Sequence, residues 1–508
     1  MVSDQVDVKA LASTVAKELM NANRFVTFTD TKEVFVYQDG IYCAGGESFI
    51  MAKVQENVES SQVSNHLVLE TIGQIQRSTF KDRAAFDSDN PHLVLQNCLL
   101  NLHTLEPEPF TPDRYELNKL PVKYDPAARC PLFATFIQEI VSHDDVNGIQ
   151  EELGAILRKK YLTKKLSVYL GDTDTGKTTL LNVFLAFLGP ENVSSVSIQD
   201  LASKNRFSIA ELHGRLANIR DDLPKDVIYS VGKLKELTGG FQVQAEKKHR
   251  DPFNFSSYAY LLFSCNVLPP VEEDDNAFYN RVMIRKFNRK YGGHAKPDRE
   301  LVDKLTTPEE LSGILNWALE GLKRLQANGW NFTSTASTEE TRLDYKRRSD
   351  PIWAFVDEML DDSESEAFEP KEGLYNAFKE YCEANGFQNP GKDYFYKHLG
   401  DKVTVQSGRR GPKGKQQHCF VGVRRRSVQT LDGGKGDYHG YRGDEEGSGS
   451  RGSHGSHGVP YPQFAEGICE LCGASGPVAK STDGTFTCSR CRSEEDHPHQ
   501  GTPNEDAD

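Results

Sequence analysis

The eight residues Gly171-Asp172-Thr173-Asp174-Thr175-Gly176-Lys177-Thr178 keep the spacing G-x-x-x-x-G-K-[ST]. Glycines at those positions let successive backbone N–H groups turn inward around an anion. The lysine then reaches the β- and γ-phosphates of a nucleotide, and the threonine hydroxyl serves a Mg²⁺ ion. Thr179 starts the helical stretch to Leu188, whose positive end points at the same anion. Residues 171 to 179 are therefore read as an ATP-binding loop. Such a loop needs an acidic partner at the end of a neighbouring strand. Asp221 and Asp222 follow the apolar stretch Leu216-Ala-Asn-Ile-Arg220. One would hold Mg²⁺ together with Thr178, a role assigned to Asp221, and the other would orient or deprotonate the attacking water.

Three further clusters carry chemistry. Lys247, Lys248, His249 and Arg250 are four basic residues in a row. Arg409, Arg410, Lys413, Lys415 and Arg424 to Arg426 form a second basic stretch with no acidic residue inside it. Cys469, Cys472, Cys488 and Cys491 make a C-x₂-C…C-x₂-C pair with fifteen residues between. That spacing suits a tetrahedral four-thiolate Zn²⁺ site. Gly473, Gly476 and Gly484 supply the turns of a ribbon, in which the metal would replace a hydrophobic core. The net charge of −14 does not oppose a nucleic-acid partner, because a whole-chain sum averages over local fields.

The elements that must position these residues follow from patterning. The apolar run Leu166-Ser-Val-Tyr-Leu170 leads straight into the glycine loop, and apolar runs recur at 216 to 219 and 258 to 264 with helical stretches between. That alternation marks an α/β sheet. Pro308 to Ala327 is a periodic helix. Before the loop, Phe25 to Thr29 and Val34 to Tyr42 read as short strands, with Asp39-Gly40 as a hairpin turn. Pro351 to Arg426 reads as three helices with a β-hairpin whose strands lie near Val403 and at Cys419 to Val423, a winged-helix pattern. Residues 433 to 458 are Gly, Ser, His and charge, a flexible linker. The expected architecture is an α/β chain: a P-loop AAA+-like ATPase core with an α+β N-terminal domain, a C-terminal winged helix and a small zinc ribbon. Its boundaries are read as 1–130, 131–345 (ATPase), 350–426 (winged helix), 427–460 (linker), 461–494 (ribbon) and 495–508 (acidic tail). No run of eighteen apolar residues exists and the N-terminus lacks a signal-peptide pattern, so the expectation is an intracellular protein with no membrane span.

The order of motifs resembles superfamily 3 helicases, in particular the phage and plasmid primase–helicase branch. The resemblance is carried by His213-Gly-Arg-Leu216, Asp221-Asp222, Lys235-Glu-Leu-Thr-Gly-Gly240, Glu246-Lys-Lys-His-Arg250, Leu261-Leu-Phe-Ser-Cys-Asn-Val-Leu-Pro269 and Asp275-Asn-Ala-Phe-Tyr-Asn-Arg281, with Lys123 to Pro131 upstream. It implies that Asn266 holds the attacking water and that Arg281 reaches a neighbouring subunit as an arginine finger. It also implies a hexameric ring, with residues 247 to 250 on a hairpin that grips single-stranded DNA in the channel. A wing bearing Arg409, Arg410, Lys413 and Lys415 would contact duplex. The chain departs from relatives that carry a primase domain ahead of the motor. Asp87-Ser-Asp89 is read as a turn before Asn90-Pro91, so priming would come from a separate primase or polymerase. The function expected is an ATP-dependent DNA helicase of viral or plasmid replication. The alternative is a DNA-binding ATPase that serves as an origin-binding or loading factor without unwinding.

Overall fold

The computed structural model describes residues 7–86, 91–203, 205–248, 250–272, 276–289, 298–412 and 416–426, and the backbone of 465–468, 475–480 and 486–488. The chain forms two compact units, Met1–Lys435 and Gly436–Asp508.

The first unit opens with an α+β module. Helix α1 (Val8–Ala22) is capped by Asp7, whose Oδ1 accepts from Lys9 N at 3.0 Å. It buries Ala12, Val15, Ala16 and Leu19, the one-face spacing of an amphipathic helix. Strands β1 (Phe25–Phe28), β2 (Val34–Gln38) and β3 (Ile41–Ala44), helices α2 (Gly46–Asn57) and α3 (Asn65–Ser78), and strand β4 (Phe80–Lys81) complete it. The sheet order is β3-β2-β1-β4. Asp39 and Gly40 both take positive φ, 49° and 98°, as a two-residue hairpin of the type I′ class requires.

A small antiparallel sheet follows, β5 (His92–Val94), β6 (Leu99–Asn101) and β7 (Pro107–Glu108). Its Leu93 and Leu100, with Leu120 and Val122 after it, are buried in the same apolar core as the large sheet downstream. Tyr115 and Leu117 of the same stretch pack instead with Phe28, Tyr42 and Phe86 of the first module, so residues 92–130 touch both cores.

That core is built on helices α4 (Pro131–Ile140) and α5 (His143–Ile156), strand β8 (Leu166–Gly171), helix α6 (Lys177–Leu188), strand β9 (Val193–Ser194), short helices α7 (Ile198–Ala202) and α8 (Arg206–Ala210), and strand β10 (Ala217–Arg220). Next come α9 (Gly232–Thr238), the hairpin strands β11 (Gln242–Ala245) and β12 (Phe253–Ser256), β13 (Tyr260–Cys265), α10 (Asn276–Tyr279) and β14 (Val282–Phe287). Helices α11 (Leu301–Leu305), α12 (Pro308–Ala327) and α13 (Ala336–Ser349) close it. The five-stranded sheet is parallel, in the order β14-β8-β13-β10-β9. Every residue of β13 is buried, as expected of a strand covered on both faces. Strand β8 has β14 on one side and β13 on the other, so crossovers leave in opposite directions around it. Such a switch point opens a crevice at the strands' carboxyl ends.

Inside this core Arg285 of β14 is fully buried between two acids. Its Nη1 donates to Asp145 Oδ1 at 3.1 Å and its Nε to Glu152 Oε1 at 2.8 Å. Tyr169 of β8 donates to the other Glu152 oxygen at 2.8 Å. Burial pushes the Glu152 carboxyl up from its ordinary value, against the pull of the Arg285 guanidinium. Space for that guanidinium exists because residue 148 is glycine: a Cβ there would sit 2.0 Å from Arg285 Nη2.

The last part of the first unit comprises α14 (Pro351–Met359), β15 (Leu360–Asp361), β16 (Phe368–Pro370), α15 (Lys371–Asn385), α16 (Lys392–His398), β17 (Gln406–Arg410), β18 (Gln417–Val421) and β19 (Arg424–Arg425). Three strands pair antiparallel in the order β16-β18-β17, around a core of Phe355, Phe378 and Phe395. The strand expected near Val403 begins three residues later, at Gln406–Arg410, and Val403 itself is buried in that core. Arg409 and Arg410 are consequently strand residues. The second unit contains an antiparallel sheet of β20 (Ala465–Ile468), β21 (Ser475–Lys480) and β22 (Phe486–Cys488). The expected linker, 427–460, and the acidic tail, 495–508, lie outside the described residues, as does the expected turn at Asp87 to Asp89. Among the described residues no helix is long and apolar enough to cross a membrane.

Removing Arg285 would leave Asp145 and Glu152 buried without a counter-charge. We expect Arg285→Ala to destabilise the chain by about 3–5 kcal/mol, read as a lowered midpoint of urea unfolding. Lys248→Ala, at an exposed site, should leave the midpoint unchanged.

Candidate active site and basic hairpin

Strand β8 ends at Gly171 and the loop returns into α6 at Lys177. Gly176 closes the turn at φ 85°, and a Cβ there would lie 2.6 Å from Ile140 Cγ2, so both the backbone and the space call for glycine. Lys177 is only 6% exposed. Its Nζ donates to Gly171 O at 2.6 Å, Asp172 O at 2.7 Å and Thr175 Oγ1 at 3.2 Å. The ammonium thus folds back on the carbonyls of its own loop. Burial lowers its pKa, opposed chiefly by Asp221.

Asp221 follows β10 and reaches Thr178, whose Oγ1 donates to Asp221 Oδ2 at 2.7 Å. Its other oxygen accepts from Ser264 Oγ on β13 and, at 3.0 Å, from the N–H of Asp222. Asp222 has φ 52°, a left-handed turn that swings the chain away after the strand. Ser264 and Cys265 end the strand that separates β10 from β8, and Asn266 follows it directly. A cleft of about 470 Å³ is lined by Thr173 to Thr179, Asp221, Asp222, Ser264, Cys265 and Asn266. Four of the five expected catalytic residues, Lys177, Asp221, Asp222 and Asn266, therefore share one cavity with the loop.

The fifth does not. Arg281 immediately precedes β14, and its carbonyl accepts from Leu166 N at the start of β8. Six parallel residues, ~20 Å at the rise of a strand, separate that edge from the loop. Its Nη1 donates to Ala277 O at 2.7 Å. Sequence reasoning missed Ser264, although a serine inside the apolar run Leu261 to Cys265 was a signal. It also missed the Arg285 network.

The basic run is at the tip of a hairpin. β11 and β12 pair antiparallel, with Val243, Ala245, Phe253 and Phe255 facing inward. Lys248 and Arg250 are exposed. Lys247 is half-buried and paired with Glu33 of the N-terminal module, 3.2 Å from Oε2. His249 lies outside the described residues, as do Lys413 and Lys415. Arg409 and Arg410 are exposed on β17. Arg424 and Arg425, counted in sequence as part of an acid-free basic stretch, are neutralised by acids from elsewhere. Arg424 meets Asp361 at 3.0 Å and Glu364 at 2.9 Å, and Arg425 meets Glu369 at 3.2 Å. Cys469, Cys472, Cys491 and the side chain of Cys488 are outside the described residues. Among those described, no three His, Cys, Asp or Glu side chains form a metal-binding group.

Three family signatures match the chain: "D5 N terminal like" over residues 5–142, a family of unknown function (DUF5906) over 169–281, and "Poxvirus D5 protein-like" over 347–420. "Putative helicase 022R" of Frog virus 3 (isolate Goorha) is 24% identical over 246 residues, 44% of this chain and 25% of that protein. "Putative helicase 184R" of Invertebrate iridescent virus 6 is 25% identical over 134 residues, 24% of this chain and 14% of that protein. The chain thus spans a quarter or less of these curated relatives. The apo C-terminal region of NrS-1 shares the fold, with a TM-score of 0.51 at 12% identity, over 80% of this chain and 98% of that one. With D5-like segments on both sides of the glycine-rich loop and viral relatives named as putative helicases, this chain is similar to viral primase–helicase proteins.

Proposed function

We propose that the chain is the motor of a DNA helicase, hydrolysing ATP in the cleft between Gly171 and Asn266 and working as a ring, with a hexamer as the expected assembly. The observation that carries this reading is the division of the catalytic set. Lys177, Thr178, Asp221, Asp222 and Asn266 line one cavity, while Arg281 stands at the opposite edge of the same sheet. A second copy would bring its Arg281 to this cavity.

The residues fit a Mg²⁺–nucleotide. Lys177 holds loop carbonyls that phosphate oxygens would replace as acceptors. Thr178 and Asp221, already in contact, supply a hydroxyl and a carboxylate to Mg²⁺. The metal, when bound, neutralises charge on the phosphate oxygens. Ser264 keeps Asp221 turned toward Thr178. Asn266 orients the attacking water and Asp222 accepts its proton. On the hairpin, Lys248 and Arg250, with Lys247 once released, would hold the backbone of single-stranded DNA without reading its sequence.

The order α14-β16-α15-α16-β17-β18 supports the winged-helix reading, and the exposed Arg409 and Arg410 favour a duplex contact there. That observation also keeps the second reading, an origin-binding or loading factor that does not unwind. The cysteine spacing in the second unit supports a structural zinc site, and a separate primase or polymerase would supply primers.

Turnover should be stimulated by single-stranded DNA and abolished by Lys177→Ala. Arg281→Ala should reduce turnover by about 10³-fold while still binding nucleotide. Mixing the two dead variants should restore part of the activity, because a Lys177→Ala copy can lend its arginine to an intact cleft. No restoration would sink the trans arrangement, and ATPase without strand displacement would favour the loading reading. Separately, Ser264→Ala should slow turnover about tenfold by freeing Asp221, a loss that steady-state kinetics would show in kcat.

A further inference from the structure

The N-terminal module touches the hairpin at the first residue of β12, beside the tip, and at the tip itself. Arg83 belongs to a 3-10 turn after β4 and is 5% exposed. Its Nε donates to Asp30 Oδ2 at 2.8 Å, and its Nη2 to Asp30 Oδ1 at 3.0 Å and Thr31 Oγ1 at 3.3 Å. The remaining Nη1 crosses to the ATPase core, 2.7 Å from His213 Nε2. The guanidinium lies over two rings, 4.1 Å from the centroid of Phe28 in β1 and 4.5 Å from that of Phe253 in β12. His213 in turn sets its ring edge-on to Phe253 and Phe255, the two inward residues of β12, at 5.3 and 5.1 Å.

The imidazole is a neutral acceptor. Burial, with Arg83 and Lys247 nearby, pushes its pKa down to about 3. Only a planar fork can bond an Asp bidentately, bond an imidazole and stack at once, which a lysine cannot do. At the other end of the β1–β2 turn, Glu33 takes Lys247. Asp30 and Glu33 share that turn, so the clamp that fixes one presents the other. The Glu33–Lys247 pair is partly exposed, and such a pair is weak enough to be exchanged for another anion.

We propose that Arg83 is a positioning residue for the hairpin, seating β12 on the N-terminal module, and that Glu33 occupies Lys247 until a DNA backbone phosphate takes its place. This rests on the reading of the hairpin as the DNA grip. It makes the N-terminal module part of the DNA-binding machinery through its contact with the motor.

The test uses the full chain, a fluorescein-labelled oligothymidylate read by anisotropy across a salt series, and ATPase with and without that strand. Arg83→Lys should lower DNA stimulation about tenfold with basal turnover and melting temperature unchanged. His213→Leu should behave alike, whereas His213→Gln, whose amide oxygen can accept the same bond, should retain stimulation. Glu33→Gln should bind the strand about threefold tighter at low salt. If Arg83→Lys and His213→Leu stimulate as wild type and Glu33→Gln binds as wild type, the positioning role is wrong. A parallel fall in basal turnover or melting temperature would make Arg83 a structural residue and equally overturn it. The double variant Lys248→Ala/Arg250→Ala separates the two ideas. If it loses DNA while Arg83→Lys and Glu33→Gln do not differ from wild type, the hairpin grips DNA unaided. If it binds normally, the hairpin reading itself fails.

Discussion

Gly176 stands at φ 85° with no room for a side chain against Ile140, and the candidate nucleotide cleft is arranged around that turn. From it α6 begins with Lys177 and Thr178 facing the cavity, and into it β8 delivers the loop amides. A turn this tight keeps its shape only if the strand before it is held. β8 is paired on one side with β14 and on the other with β13, and Tyr169 ties it through Glu152 to Arg285. The buried charges in that network need one another. Each acid is tolerable in the core because the guanidinium satisfies it, so the network fixes the register of α5, β8 and β14 together.

The same sheet explains why the expected catalytic residues divide. Parallel strands put all their carboxyl ends at one edge, where the loop, Asp221 and Asn266 meet. Arg281 precedes a strand, and its place at the opposite edge follows from strand polarity alone. In one copy of the chain Arg281 and the loop therefore stand at opposite edges of the sheet, which is the physical motive for the proposed ring.

Charge is distributed in a way the total of −14 conceals. Basic residues that are contiguous in sequence have different fates in space. Lys247 meets Glu33, Arg424 and Arg425 meet acids from 361 to 369, while Lys248, Arg250, Arg409 and Arg410 stay exposed. The cations left exposed lie on a hairpin tip and a sheet strand, shapes that can follow a phosphate backbone.

Much of this was legible in the residues themselves. The glycine loop, the apolar runs of β8 and β13, the Asp39-Gly40 turn and the proline-initiated helix α12 declare themselves over a few positions, because φ, capping and periodicity are local properties. The pairing of β16 was not legible, since three residues ending in proline show no alternation. Nor was the way residues 92–130 divide between two cores, Leu93 and Leu100 joining one and Tyr115 and Leu117 the other. Ser264 meets Asp221 across 43 positions, Arg83 meets His213 across 130, and Arg285 meets Asp145 across 140. The sequence by itself determined which groups could do chemistry and which strand would carry the loop. Only the tertiary structure decided which charges are spent on one another, because burial and partnership arise when distant segments pack and no local pattern encodes them.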